Sequence, residues 1–173
     1  MTAYIPDELV LAIYATSRGF AFVLLEGPES PFDWGVREID NPSRNQKCLG
    51  AIAELIDRNQ PAHIVLEDTA DPLSRRNLRV QHLYRSVEAL ANRNFVDVHR
   101  VSKQAIRDCF AGVGAVTKHE IAQAIALRIP AFAIRIPPVR KPWMSQDSRQ
   151  SLFDAVALGL AYFKSESSEW RVT

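Results

Sequence analysis

The feature that constrains this chain most is a pair of apolar runs near the N-terminus, within residues 10–26. Both runs are rich in Val, Ile, Leu and Phe, and residues 15–19 between them are small or polar and include a glycine. This pattern predicts two antiparallel strands joined by a turn. Because both runs are almost continuously apolar, we expect these strands to lie inside a sheet that is covered on both faces.

The segments that follow predict an edge strand and then a crossover. Residues 34–39 alternate between apolar and polar side chains, whereas residues 26–33 before them are predicted to be a turn-rich connection. A helix with Ser43 as its N-cap is predicted to run to Asn59, and residues 63–67 are typical of a short buried strand. A right-handed crossover through this helix predicts that the strand pairs parallel to the hairpin.

The second half of the chain alternates helical periodicity with one further strand pattern. No repeat or composition change marks a second domain, so we predict a single domain over residues 1–173. The predicted elements are a helix over 75–92, a strand over 95–101, a short helix over 103–110, a helix capped by Thr117 and Glu120 that ends at Pro130, an extended loop over 131–145, and a last helix from Asp147 or Ser148 to Phe163.

Composition sets only wide limits on function. Hydrophobic residues make up 47% and charged residues 24% of the chain, and the net charge is +1, so any nucleic-acid-binding surface has to be local. The two cysteines, Cys48 and Cys109, lack a metal-binding spacing and predict buried free thiols in a cytoplasmic protein. No apolar run approaches the roughly 20 residues that span a bilayer.

Two acidic residues stand in apolar surroundings. Glu67 ends a predicted inner strand, at the edge where open α/β sheets place their ligands. Asp154 lies inside the last helix, which is apolar almost all round and is therefore predicted to be buried. Because a buried carboxylate needs a cation or hydrogen-bond donors, Asp154 either bonds to a loop or an arginine, or shares a metal ion with Glu67. Two Mg²⁺ ions held by oxygen ligands can support phosphodiester cleavage.

Four segments of the chain carry a family resemblance through their order, spacing and total length: residues 10–25, 43–68, 98–130 and 151–161. Together they resemble the RuvC family of Holliday-junction resolvases. A three-stranded meander followed by helix–strand units also resembles the opening of the ribonuclease-H-like fold. The resemblance implies an α/β fold with a mixed five-stranded sheet, three antiparallel strands followed by parallel ones, and helices on both faces.

This resemblance implies a metal-dependent, structure-selective endonuclease that acts on branched DNA as a homodimer. Glu67 and Asp154 would be its catalytic residues and its ligands for Mg²⁺ or Mn²⁺. Two positions depart from the family pattern: Tyr14 replaces the first metal-binding aspartate, and Ser151 replaces an acidic or metal-supporting residue one turn before the last aspartate. Tyrosine is neutral at physiological pH and is a poor magnesium ligand.

These departures leave other functions open. One alternative is a decayed nuclease-fold protein that binds nucleic acid without cutting it, and another is a domain used in RNA processing or as a scaffold. Asp71, in a loop, could replace a missing carboxylate. Asp147 could do the same, but it is equally well predicted as a helix cap.

Basic residues concentrate in the middle of the chain, whereas acidic residues gather toward the N-terminal third and the tail. This asymmetry predicts a phosphate-binding face, and the alternative is a solvated helix surface. Trp143, within the basic segment 140–143, is predicted either to stack on an unpaired base or to pin its loop to the core. His82, His99 and His119 could serve as general bases, but each is isolated, and surface or capping roles are predicted for them. The predicted nucleic-acid-binding residues are Arg75, Arg76, Arg79, Lys103, Arg107 and Lys118, of which the resemblance places Arg107 and Lys118 near DNA.

Overall fold

A computed structural model describes residues 8–145, 147–166 and 172. In these residues a five-stranded sheet has the order β3-β2-β1-β4-β5, with helices on both faces. The elements are β1 (Val10–Ala15), β2 (Gly19–Gly27), β3 (Ser30–Glu38), α1 (Arg44–Asn59), β4 (His63–Glu67), α2 (Leu78–Arg93), β5 (Asp97–Val101), α3 (Lys103–Ala111), α4 (Lys118–Arg128), a 3₁₀ helix (Pro130–Arg135) and α5 (Ser148–Glu166).

The central strand β1 joins the antiparallel and the parallel halves of the sheet. It pairs antiparallel to β2, with Tyr14 opposite Ala21, and parallel to β4, with Ala12 opposite Val65. β2 then pairs antiparallel to β3, and β4 pairs parallel to β5. The predicted fold class, three antiparallel strands followed by parallel ones, is therefore confirmed.

Successive side chains of β1 point to opposite faces, and each face has its own core. Leu11 and Ile13 pack with apolar residues of α1 and α2. Val10 and Ala12 pack with α3, α4 and α5, and Tyr14 lies at the margin of this second core. The near-continuous apolar character of β1 and β2 follows from this double coverage.

Helix α5 packs tightly against the centre of the sheet. Ala155 is fully buried and Gly159 is buried, and a Cβ atom at Gly159 would lie only 2.6 Å from the Leu25 side chain. The small side chains at these two positions therefore allow α5 to approach the sheet closely. Asp154 directly precedes Ala155 in α5, so this packing sets its distance from the sheet.

The structure corrects several predicted boundaries. Residues 26–33, predicted to be a connection, are mostly strand, because β2 and β3 form a long hairpin whose outer strand tolerates proline and polar residues at the sheet edge. Helix α2 begins at Leu78 because the Asn77 side chain accepts a hydrogen bond from the Val80 N–H. Ser43 precedes α1 but makes no capping hydrogen bond through its side chain.

Part of the segment predicted to be an extended loop, residues 131–145, is helical. A 3₁₀ helix covers Pro130–Arg135, and its Phe132 is fully buried against Trp34, with ring centres 5.0 Å apart in an edge-to-face arrangement. The buried aromatic ring explains why the chain turns inward here instead of continuing as a loop.

Cys48 and Cys109 are both buried and free, as predicted. Among the helices within the described ranges, none is long and apolar enough to cross a bilayer.

Two histidines pair across neighbouring strands, His63 at the start of β4 and His99 in the middle of β5. His63 Nδ1 lies 3.1 Å from His99 Nε2, and the Tyr162 ring packs on His99 with ring centres 4.6 Å apart. The surface or capping role predicted for His99 is therefore wrong, because its ring is half-buried between a strand neighbour and α5. Burial, and then the charge of His63, lower the pKa of His99 below its ordinary value.

This pair predicts an acid-sensitive contribution to stability. A pKa that is lower in the folded chain gives stability that is present above the ordinary histidine pKa and is lost as the pH falls through the folded value. We expect His99→Gln to reduce the fall in Tm between about pH 7.5 and about pH 5. The control is His82→Gln, at an exposed position on α2. Its Tm should fall by as much as that of the parent protein. If the Tm of the His99 variant falls by as much as that of the parent protein, His99 does not provide the acid-sensitive contribution to stability.

Candidate functional site

Glu67 lies at the carboxyl end of β4 and is 8% exposed. The Tyr84 hydroxyl donates a hydrogen bond to Glu67 Oε2 and accepts one from the Ala15 N–H at 2.9 Å. Arg76 Nε lies 3.4 Å from the same carboxylate oxygen. Burial raises the pKa of Glu67, an effect that Arg76 and the Tyr84 hydrogen bond oppose. Glu67 is therefore a buried acid with two built-in partners.

Arg76 connects this acid to the end of β1. Its Nη1 donates to the Tyr14 hydroxyl at 3.3 Å, and its Nη2 donates to the Ala15 carbonyl oxygen. The guanidinium also lies 4.9 Å from the centre of the Tyr14 ring. Burial alone would lower the pKa of Arg76, but Glu67 and Tyr14 outweigh it and the pKa is raised. Arg76 is thus a fixed cation in contact with Glu67.

Asp154 has its own basic partner. Lys118 Nζ lies 3.2 Å from Asp154 Oδ2, and Gln150 Nε2 donates to Oδ1 at 3.3 Å. The Asp154 side chain is 12% exposed and that of Lys118 is 54% exposed, so the lysine is open to solvent while the aspartate is largely buried. Burial would lower the pKa of Lys118, but Asp154 and Tyr14 raise it on balance. The lysine is therefore held in its charged form.

Tyr14 separates the two ion pairs. Lys118 Nζ lies 5.7 Å from the centre of its ring, and Arg76 covers the ring as well. Burial, followed by Asp154, raises the pKa of Tyr14, so the hydroxyl stays neutral at physiological pH. Ser151 is also occupied, because its buried hydroxyl donates to the Ser148 carbonyl at 2.6 Å. Neither replacement residue supplies the negative charge that an aspartate would.

The carboxylates, their basic partners and Tyr14 line one cleft of about 450 Å³, which we call the carboxylate cleft. The two acids and the two bases cancel in formal charge. In the part of the chain that the structure describes, no cluster of three or more His, Cys, Asp or Glu side chains is suited to a metal ion. This set of donors fits a pair of divalent cations poorly, since such ions need several anionic oxygens. The predicted Mg²⁺ or Mn²⁺ site remains a prediction.

The two aspartates considered as substitutes are engaged elsewhere. Asp71 accepts hydrogen bonds from the Leu73 and Lys103 N–H groups, and these bonds lower its pKa. Asp147 accepts a hydrogen bond from the Arg149 N–H and forms an ion pair with the Arg149 side chain at 2.7 Å. Asp147 thus caps α5, which agrees with the simpler of its two interpretations.

The predicted DNA-binding residues fall into two groups. Arg75, Lys103 and Arg107 are exposed and line the carboxylate cleft, where a phosphate backbone can reach them. Arg79 instead donates to the Thr16 carbonyl at 2.6 Å and to Asn45 Oδ1 at 3.0 Å, so it holds a turn in place. Arg76 and Lys118 are paired with the acids, as described above.

Two functional neighbours escape the sequence reasoning. Tyr84 follows Leu83 on the buried face of α2, and a buried tyrosine hydroxyl requires a partner, which is the signal that could have found it. Gln150 lies one helical turn before Asp154, at a spacing that places both side chains on one face of α5.

The sheet order and strand directions define a ribonuclease-H-like α/β fold. Within that class, the chain is similar to RuvC of Thermus thermophilus. It matches RuvC in complex with a Holliday junction substrate with a TM-score of 0.67 and 15% identity, over 92% of this chain and 95% of that chain. It matches a second Thermus thermophilus RuvC structure with a TM-score of 0.67 and 16% identity, over 94% and 98% of the two chains. The RuvC-like fold is therefore confirmed. No protein-family model and no curated protein matches the sequence.

Proposed function

We propose that this protein binds branched DNA without metal-dependent cleavage. One observation carries the proposal: each of the two acids in the carboxylate cleft already has a cationic partner, Arg76 for Glu67 and Lys118 for Asp154. A guanidinium cannot lose its proton at physiological pH, and it occupies fixed positions against Glu67 and the end of β1. The charge that would attract a divalent ion is therefore neutralised by the chain itself.

The exposed basic residues supply the binding surface. Arg75, Lys103 and Arg107 lie on one side of the cleft, and phosphate contacts from such residues position a protein on DNA without reading its sequence. The similarity to a RuvC structure that contains a Holliday junction supports branched DNA as the ligand. We also propose a homodimer, since two-fold symmetry suits a four-way junction, and a cytoplasmic location, since two free thiols suit a reducing compartment.

A metal-dependent endonuclease is the second candidate. It is favoured by the positions of Glu67 and Asp154, which line the same cleft, and by Lys118, which is exposed enough to exchange Asp154 for a phosphate. Incubation with labelled four-way junctions and Mg²⁺ or Mn²⁺ separates the two. Binding without cleavage products supports our proposal, whereas metal-dependent products would establish the second candidate.

The binding surface makes a quantitative prediction. We expect Lys103→Ala with Arg107→Ala to weaken junction binding about tenfold and to reduce the slope of log K against log salt by about 2, one for each lost phosphate contact. Fluorescence anisotropy at several salt concentrations measures both quantities. The matched control is Arg58→Ala with Arg93→Ala, which removes the same charge from exposed positions at the ends of α1 and α2. If the two double variants give the same slope of log K against log salt, Lys103 and Arg107 do not contact the DNA.

A further inference from the structure

A second cleft, of about 430 Å³, opens beside the carboxylate cleft, and we call it the base cleft. Its walls come from the loop after the 3₁₀ helix and from the first turns of α4 and α5. It shares Lys118 and Gln150 with the carboxylate cleft, so the two clefts are neighbours. A strand that contacts Lys118 therefore passes the entrance of the base cleft.

The chemistry of the base cleft suits a flat heteroaromatic ligand. Pro137, Val139 and Met144 give it apolar walls, and Gln150 and His119 add groups that can hydrogen-bond to a polar edge. Its volume lies in the range of sites that hold small molecules, which is enough for one nucleobase and its sugar.

The loop that lines the base cleft also carries an exposed aromatic ring and two positive charges, between Arg140 and Met144. Trp143, next to Met144, is 78% exposed, so it does not pin the loop to the core as one interpretation of the sequence predicted. Lys141 Nζ lies 5.4 Å from the centre of the Trp143 ring. Arg140 Nε donates to the Met144 carbonyl at 2.8 Å, which holds the loop closed around these residues. A large aromatic face among cations is a stacking platform for an unpaired base with phosphates on either side.

We infer that the base cleft and Trp143 bind one unpaired nucleotide of a branched DNA, a role that rests on the proposed DNA-binding function. A paired base has both faces covered by its neighbours and its polar edge engaged, so it cannot enter such a cleft. An unpaired base at a branch point offers both faces and its edge. The positive charges of Lys118, Arg140 and Lys141 match the phosphates that flank it.

The test compares two four-way junctions that differ by one unpaired 2-aminopurine nucleotide at the branch point. The protein is expected to bind the junction with the unpaired nucleotide about tenfold more tightly and to change its 2-aminopurine fluorescence. Trp143→Ala should abolish both the preference and the fluorescence change while it leaves the affinity for the fully paired junction within about twofold. Trp143→Phe should keep the preference, because phenylalanine also stacks. Phe32→Ala, at an exposed aromatic on β3, is the control.

The outcomes distinguish this inference from the function on which it rests. Equal affinity for both junctions, or an equal loss for both in Trp143→Ala, overturns the base cleft but leaves DNA binding intact. Binding of neither junction overturns the proposed function, and the base cleft with it. A selective loss in Trp143→Ala that Trp143→Phe restores supports both.

Discussion

Replacing Arg76 by alanine is expected to lower the free energy of unfolding by about 3 kcal/mol at neutral pH, the scale observed when one partner of a buried ion pair is removed. Glu67 would be left as a buried charge without its cation, since its side chain is 11% exposed and, among the residues that the structure describes, the Tyr84 hydroxyl would be its remaining donor. The Ala15 carbonyl would also lose the donor that Arg76 provides.

The loss in the Arg76 variant should depend on pH with a definite sign. Burial raises the pKa of Glu67 in the folded chain, and removal of the guanidinium raises it further. A carboxyl whose pKa is raised on folding stabilises the protein fully below its unfolded pKa, and this contribution is lost as the pH rises through the folded value. The deficit of the variant is therefore largest at neutral pH and shrinks toward about pH 4.

Urea denaturation of the parent and variant proteins at both pH values measures this deficit. Arg75→Ala removes an exposed arginine one residue away and should change the stability by less than about 0.5 kcal/mol. Adding Glu67→Gln to the Arg76 variant should recover part of the loss, because it removes the unpaired charge. A deficit that is the same at both pH values would mean that Arg76 acts through packing and not through Glu67.

Tyr14→Asp combined with Ser151→Asp is expected to create magnesium binding at least about tenfold tighter than that of the parent protein. The two new carboxylates add about two negative charges to a site in which Glu67 and Asp154 are already neutralised by Arg76 and Lys118. They also provide the anionic oxygens that a hard divalent ion requires. Removing the Tyr14 ring also frees the space between Arg76 and Lys118. The Ser151 change places a carboxylate in the first turns of α5, where the helix dipole favours it.

Isothermal titration calorimetry with MgCl₂ and MnCl₂ tests this expectation. The matched control is Tyr14→Asn with Ser151→Asn, which has nearly the same shape without the charge. If the aspartate variant binds metal and the asparagine variant does not, the parent protein lacks a metal site because it lacks negative charge at positions 14 and 151, and not because of the shape of the cleft. Identical titrations of the two variants would mean that the site has been placed wrongly.

Local patterns in the sequence were enough to predict the sheet and most helices. The continuous apolar runs of β1 and β2 report burial on both faces, and the Thr117–Glu120 capping box marks the start of α4, because each of these signals acts over a few residues. The 3₁₀ helix was missed because it depends on Phe132 reaching Trp34, which lies on a distant strand. Secondary-structure propensity depends on local sequence, so it cannot predict a contact between residues so far apart along the chain.

The candidate site was predictable in position but not in its charge balance. Glu67 was found because a strand end is recognisable, and Asp154 because an acid in an apolar helix is conspicuous. Their partners could not be assigned, because Arg76 lies in an irregular segment and Lys118 is 36 positions from Asp154. Arg76 and Lys118 were both predicted to contact DNA. Nothing in their local sequence distinguishes that role from an internal ion pair.

Helix α5 carries a consequence for the synthesis of the protein. It covers one face of the central strands and also provides Ser151, Asp154 and Gln150. The ribosome makes this helix after every strand of the sheet. The apolar face of the sheet that α5 covers therefore stays exposed on the nascent chain until α5 has emerged. The same docking step that closes the core completes both clefts, so a chain that is still being made presents no finished surface to nucleic acid.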